Sequence, residues 1–197
     1  YDQRENLSLT AEQQTLLEKT YKGFTRNGAN LSLDDKGRLR EIDKQLATLK
    51  LKFSENVLAE TQHYQWVITD KNTLSGLPDF VLEMLAQEAK KRKVQGWVIT
   101  LDLPVYTAVM KYADNRDLRQ KLFTDYHSRC AGESAFSNEA NVLRIAELRQ
   151  ARATLLGYPS YAAFALEERM AETPEKVMSF LNELLSKAKP QALKELE

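Results

Sequence analysis

Histidine, cysteine, glycine and proline are all scarce in this chain of 197 residues, with two, one, seven and five copies. One cysteine cannot form an internal disulfide, which fits a reducing compartment. Few glycines and prolines favour helix over a turn-rich β architecture. The glycines, at 23, 28, 37, 76, 96, 132 and 157, are never clustered, so there is no glycine-rich phosphate loop. An excess of one charge is also missing: 28 Lys plus Arg balance 28 Asp plus Glu. A nucleic-acid grip needs a basic surplus, so no nucleic-acid partner is expected. No apolar run reaches the roughly 18 residues of a membrane-spanning helix, so no membrane partner is expected either. The chain opens Tyr1-Asp2-Gln3-Arg4, without an initiator Met or a signal-like stretch, and is read as a piece of a longer protein. What is present is a hydrophobic share of 43% and a charged share of 28%, enough for a real core and a solvated surface.

The pattern predicts a mainly α fold with two short β-strands, in three segments. Residues 1–61 read as a helical hairpin. Thr10 with Gln13 spells a capping box, and Leu17, Tyr21 and Phe24 share one apolar face. Asn27-Gly28 closes that helix, and Ser32 with Asp34 and Asp35 opens the next. Leu39, Ile42, Leu46, Leu49, Phe53 and Val57 then recur every three or four residues. Residues 62–113 read as strand, helix, strand, helix. Tyr64–Thr69 and Gly96–Leu101 have strand composition, and the helix between them starts at Leu77-Pro78 and ends on Lys90-Lys91-Arg92-Lys93. That order allows a parallel crossover pair, and pairing elsewhere is equally open. Residues 114–197 read as helices capped by Asn115, Asn138, Ser160 and Thr173, with a loop over 131–137.

No active site follows from the residues themselves. His63 and His127 are the only imidazoles, and zinc needs several converging donors. Glu60-x-x-His63 is half of a di-iron motif with no second copy, because Thr124 stands three before His127. His127 and Cys130 are spaced as a conceivable nucleophile pair without a third orienting group, and a buried inert thiol is the preferred reading. Gly132-Glu133-Ser134 lacks the second glycine of a nucleophile elbow. Trp66 and Trp97 read as core or partner-facing anchors, Lys90–Lys93 as a helix end facing its own dipole, and Glu167-Glu168 as a solvated helix face. The catalytic, cofactor-binding and metal assignments are therefore all empty.

Several phrases, in order, resemble the thimet-oligopeptidase and peptidyl-dipeptidase family of zinc metallopeptidases (family M3). Phe24 to Leu31 is similar to its F-x-R-x-G-A-x-L segment, and Leu51 to Leu58 to its F-x-x-N-V-L helix. Leu74-Ser75-Gly76-Leu77-Pro78 matches an L-x-G-L-P turn. Thr100 to Tyr106, Met110 to Arg116 and Leu118-Arg119 form the most specific run, followed by Leu148-Arg149, Leu155 to Tyr158 and Met170 to Pro174. The wording is nearest to bacterial peptidyl-dipeptidases, which release dipeptides from peptide C-termini, and members that cut internally are nearly as close.

The resemblance implies a helical fragment of a neurolysin-like peptidase: a non-catalytic piece of the wall of a narrow substrate channel. The family's His-Glu-x-x-His helix and third zinc ligand lie downstream of the matching phrases. Zinc is thus implied for the parent protein and none for this chain. The implied partners are short peptide substrates, through the parent, and the missing catalytic domain. The implied location is the bacterial cytoplasm. A free-standing helical interaction module and a small Cys130–His127 hydrolase are the competing readings.

Overall fold

The computed structural model describes residues 1–196. Eight α-helices, two short 3-10 helices (Arg4–Asn6 and Lys71–Leu74) and two strands order the described residues, so the chain is mainly α. The α-helices and strands are α1 (Ala11–Thr25), α2 (Leu33–His63), β1 (Trp66–Ile68), α3 (Asp79–Lys91), β2 (Trp97–Ile99), α4 (Leu103–Tyr112), α5 (Arg116–His127), α6 (Glu139–Leu155), α7 (Tyr161–Leu166) and α8 (Pro174–Glu195). Contacts divide the chain into two units: Thr48–Arg144, and Tyr1–Ala47 together with the chain from Ile145 onward. Helices α2 and α6 contribute residues to both. These units follow contacts, whereas the three segments read from the sequence follow the order of elements.

The Thr48–Arg144 unit carries one continuous apolar core. Val81 and Leu85 of α3, Ile99 of β2, Val109 of α4 and Leu122 of α5 are wholly buried in it. Side chains of this size contribute about 1.5–3 kcal/mol each when fully buried. Val81, Leu85 and Ala89 recur at helical spacing, which turns one face of α3 onto the sheet. Val94 N donates to Ala89 O at 3.0 Å and Lys93 N to Lys90 O at 3.1 Å, closing α3 through Lys93 in the left-handed region. Lys90 and Lys91 thus occupy the last turn, where cations oppose the negative end of the dipole.

Strands β1 and β2 pair antiparallel, Trp66 with Ile99 and Ile68 with Trp97. The parallel crossover allowed by the sequence is overturned. The physical reason is a close approach between distant segments: Gly96, at φ +94°, lets the chain entering β2 press against the carbonyl of Ile68 at the end of β1. The L-x-G-L-P turn has a similar role further along. Ser75 Oγ donates to Asp114 Oδ2 at 2.8 Å, and Asp114 N donates to Ser75 O at 2.9 Å. Gly76 lies there against the carbonyl of Tyr112, so two of the phrases carrying the family resemblance are bonded to each other.

The other unit is held by caps and by one polar hub. Thr10 and Gln13 form the capping box, with bonds of 3.3 and 3.0 Å. Gly28 and Ala29 close α1, Ala29 N donating to Phe24 O at 3.0 Å. Asp43 of α2 pairs with Arg152 of α6 at 2.7 Å. Arg26, following α1, donates to Tyr158 Oη at 3.2 Å, to the Phe164 carbonyl at 2.8 Å and to the Glu167 carboxylate, and stacks over the Phe164 ring at 4.2 Å. Glu167 also accepts from Tyr158 Oη at 2.6 Å and lies 3.4 Å from Lys22 Nζ. The reading of Glu167-Glu168 as a solvated face is corrected: Glu168 is exposed and pairs with Lys22, while Glu167 is half-buried and ties α1 to α7.

Burial raises the Glu167 carboxyl, but hydrogen bonds from Tyr158 and Arg26 and the charge of Lys22 outweigh it and hold the group below its usual 4.5. A carboxyl lowered by folding stabilises the fold above the unfolded value, and that contribution fades as pH falls through the folded value. Arg26→Ala should cost about 1–2 kcal/mol at pH 7, allowing for partial solvent screening. The gap to the parent should narrow between pH 5 and pH 3, as followed by urea midpoints. A gap that widens toward acid would contradict the hub.

Candidate functional site

Glu60, His63, Cys130 and Ser134 gather around the loop from Cys130 to Asn138. Glu60, on the last turns of α2, accepts from Cys130 N at 2.5 Å and from Ser134 Oγ at 3.0 Å. His63, the last residue of α2, has Nδ1 2.8 Å from the Ala59 carbonyl, and its ring packs on Phe136 with centroids 5.1 Å apart. Asn138, immediately before α6, is 3% exposed and its amide is the central junction. Its Nδ2 donates to Phe53 O at 3.1 Å, and its Oδ1 accepts from Asn56 at 3.0 Å and from Asn141 at 2.8 Å. Cys130 O accepts from Asn138 N at 2.8 Å. The loop is thus clamped to α2 at Glu60, His63 and the Asn56–Asn138 pair.

An open groove of about 500 Å³ beside this clamp is lined by Phe53, Val57, Arg129, Cys130, Val142 and Leu143, among others. It holds no charge relay. Cys130 is buried, and burial together with the Glu60 carboxylate pushes its thiol up to about 11. His127 sits at the end of α5 among Phe123, Tyr126 and Tyr106, its Nε2 3.3 Å from Tyr106 Oη. The partners of Cys130 and His127 are therefore different groups. The thiolate is the nucleophile, and here it is disfavoured at neutral pH. Iodoacetamide should label native Cys130 slowly and urea-unfolded Cys130 at least about tenfold faster, followed by intact mass. Equal rates would mean an activated thiol.

Zinc fits this donor set poorly. Among the described residues no three His, Cys, Asp or Glu side chains form a group that could hold a metal ion. Glu60, the half-motif carboxylate, is spent on the loop, and His63 leans on an aromatic ring. Ser134, from the partial elbow, donates to Glu60 and sits in the loop expected over 131–137. Trp66 and Trp97 are half-buried against the core, and Lys121 lies over the Trp66 ring at 4.9 Å. Tyr64 donates to Asp125 Oδ2 at 2.5 Å. Burial, then Asp125, holds its phenol above the usual range.

The clamp residues Asn56, Asn138 and Glu60 were not singled out for this role by the sequence. The signals were Asn56 within F-x-x-N-V-L, Asn138 at a helix start and Glu60 within Glu60-x-x-His63.

Known proteins extend these observations. The sequence model described as peptidase family M3 matches residues 109–197. Oligopeptidase A of Escherichia coli K12 is 32% identical over 193 residues, covering 96% of this chain. A probable cytosolic oligopeptidase A of Arabidopsis thaliana is 36% identical over 197 residues, also 96% of this chain. Dipeptidyl carboxypeptidase of Escherichia coli K12 is 30% identical over 197 residues, the whole of this chain. The chain spans only 28–29% of the length of these relatives. The match to the Escherichia coli dipeptidyl carboxypeptidase spans all of the ordered phrases, and over residues 109–197 the chain is similar to peptidase family M3.

Proposed function

We propose that this chain is a non-catalytic helical wall of the substrate channel of a zinc-dependent oligopeptidase or peptidyl-dipeptidase of the bacterial cytoplasm. The observation that carries the reading is the use of the polar side chains. Glu60, His63, Asn56 and Asn138 are spent on holding a loop, Arg26 and Glu167 on holding α1 to α7, and the Cys130 thiol is kept protonated. Such a scaffold orients and excludes water; it does not break bonds. The short coverage of the relatives and their names support a peptidase parent. No helix among the described residues is long and apolar enough to cross a membrane.

In the parent, zinc would polarise the scissile carbonyl and activate water, with ligands supplied outside these residues. The test is twofold. The purified chain, supplied with zinc, should hydrolyse a quenched fluorescent pentapeptide at background rate. The reading frame continued past Glu197 should encode His-Glu-x-x-His. Zinc-stimulated turnover by the pure chain, or a frame lacking that motif, would overturn the reading. Turnover abolished by Cys130→Ala would instead establish the thiol hydrolase.

A further inference from the structure

The turn between α1 and α2, in the unit that includes Tyr1–Ala47, carries a groove of about 440 Å³. Leu39 forms its buried floor beside the backbone of Gly28. Phe24, expected on the packed face of α1, is instead 66% exposed at the groove's side. Lys36 and Arg40 line the same groove, one turn apart on α2. Neither has an ion-pair partner among the described residues, and like charges at this spacing repel. Asp43, the groove's acid, is already paired with Arg152 at 2.7 Å. The result is two unneutralised cations beside a solvent-facing phenyl ring, in a concavity of ligand size.

We propose that this groove binds acidic peptide segments in which a Glu or Asp side chain neighbours a large apolar one. The carboxylate lies between Lys36 Nζ and the Arg40 guanidinium, where it removes their repulsion and accepts charge-assisted hydrogen bonds. The apolar neighbour covers Phe24 and Leu39 and takes their surface out of water. Charge alone would suit a nucleic-acid phosphate too. The chain has no basic surplus to hold a nucleic-acid strand. This site stands apart from the channel-wall reading and does not depend on it.

The experiment titrates the purified chain with an N-acetylated, C-amidated peptide alternating Leu or Phe with Glu, read by calorimetry and by amide shifts. Sub-millimolar binding is expected, with shifts at Gly28, Ala29, Lys36 and Arg40. Replacing the peptide's Glu by Gln, or making Lys36→Gln/Arg40→Gln, should each weaken binding about five- to tenfold. Phe24→Ser should weaken it as well, and binding should fall between 0.05 and 0.5 M salt. If the double variant loses its fold, the Gln peptide on the unaltered chain reads the same charge effect. Equal binding of the Gln peptide, equal binding of an acid-free peptide with a free C-terminus, tighter binding of oligo-dT, or shifts confined to other residues would each overturn the proposal. Failure here leaves the wall reading intact, and peptide turnover by the chain would end that reading without touching this one.

Discussion

Gly96→Ala should be the most damaging single-methyl change in the Thr48–Arg144 unit, costing about 3 kcal/mol or more. An added Cβ would stand 2.2 Å from the Ile68 carbonyl oxygen and 3.2 Å from its carbon, both backbone atoms. Neither can rotate away, so the chain entering β2 must separate from β1. The backbone adds its own penalty, because φ is +94° and a side chain there costs about 1–2 kcal/mol. Gly132→Ala is the matched control. It also has a positive φ, of +61°, but nothing lies within 4 Å of the added methyl. That variant should lose only about 1 kcal/mol. Urea unfolding monitored through Trp66 and Trp97 measures both. Equal losses would mean that the close approach at Gly96 has no energetic weight.

Asn138→Ala should cost about 2–4 kcal/mol, because one amide serves three partners. Truncation leaves the Asn56 side chain, which is 6% exposed, with only its long 3.5 Å bond to the Ser137 carbonyl once the 3.0 Å acceptor is lost. It also removes the acceptor of Asn141 and one donor to the Phe53 carbonyl. A buried amide that loses its better acceptor costs about 1–3 kcal/mol, and the cavity adds to that. In the double variant Asn56→Ala/Asn138→Ala the underserved amide is gone, so its loss should be well below the sum of the singles. Additive losses would show that the two side chains act independently. Limited proteolysis gives a second reading, since cleavage should move into the loop around Gly132 and Glu133 in Asn138→Ala.

Signals that act within a few residues were legible in the sequence. Thr10 with Gln13, Asn115, Ser160 and Thr173 each cap a helix, because a short polar side chain reaches the free N–H groups of the next turn. Gly28 and Gly157 each follow a helix end with positive φ. His63 closes α2, and Cys130 is buried as expected. Direction and partnership between distant segments were not legible. The composition of Tyr64–Thr69 marks a strand but carries no information on parallel or antiparallel pairing. That choice depends on how Gly96 meets Ile68, 28 residues away. Glu167 beside Glu168 looks like one more exposed acidic pair until Arg26 and Tyr158 arrive from elsewhere in the chain. Phe24 has the right spacing for a packed face and is exposed all the same, because periodicity shows which side is apolar and not whether anything covers it. The clamp was invisible for a related reason: an asparagine at a helix start reads as a cap, and only the fold turns Asn138 toward α2.

Helix α8 has no buried residue along its 22 positions, and Met178, Phe180, Leu181, Leu184 and Leu185 all face solvent. Its helicity rests on the Thr173 cap and on neighbouring pairs such as Lys187 with Glu183, while Pro190 interrupts the hydrogen-bond ladder. Such a segment is only weakly coupled to the cores. On warming, ellipticity at 222 nm should begin to drift while tryptophan emission stays flat, and a two-state fit to either signal alone would misjudge the cooperativity of the molecule.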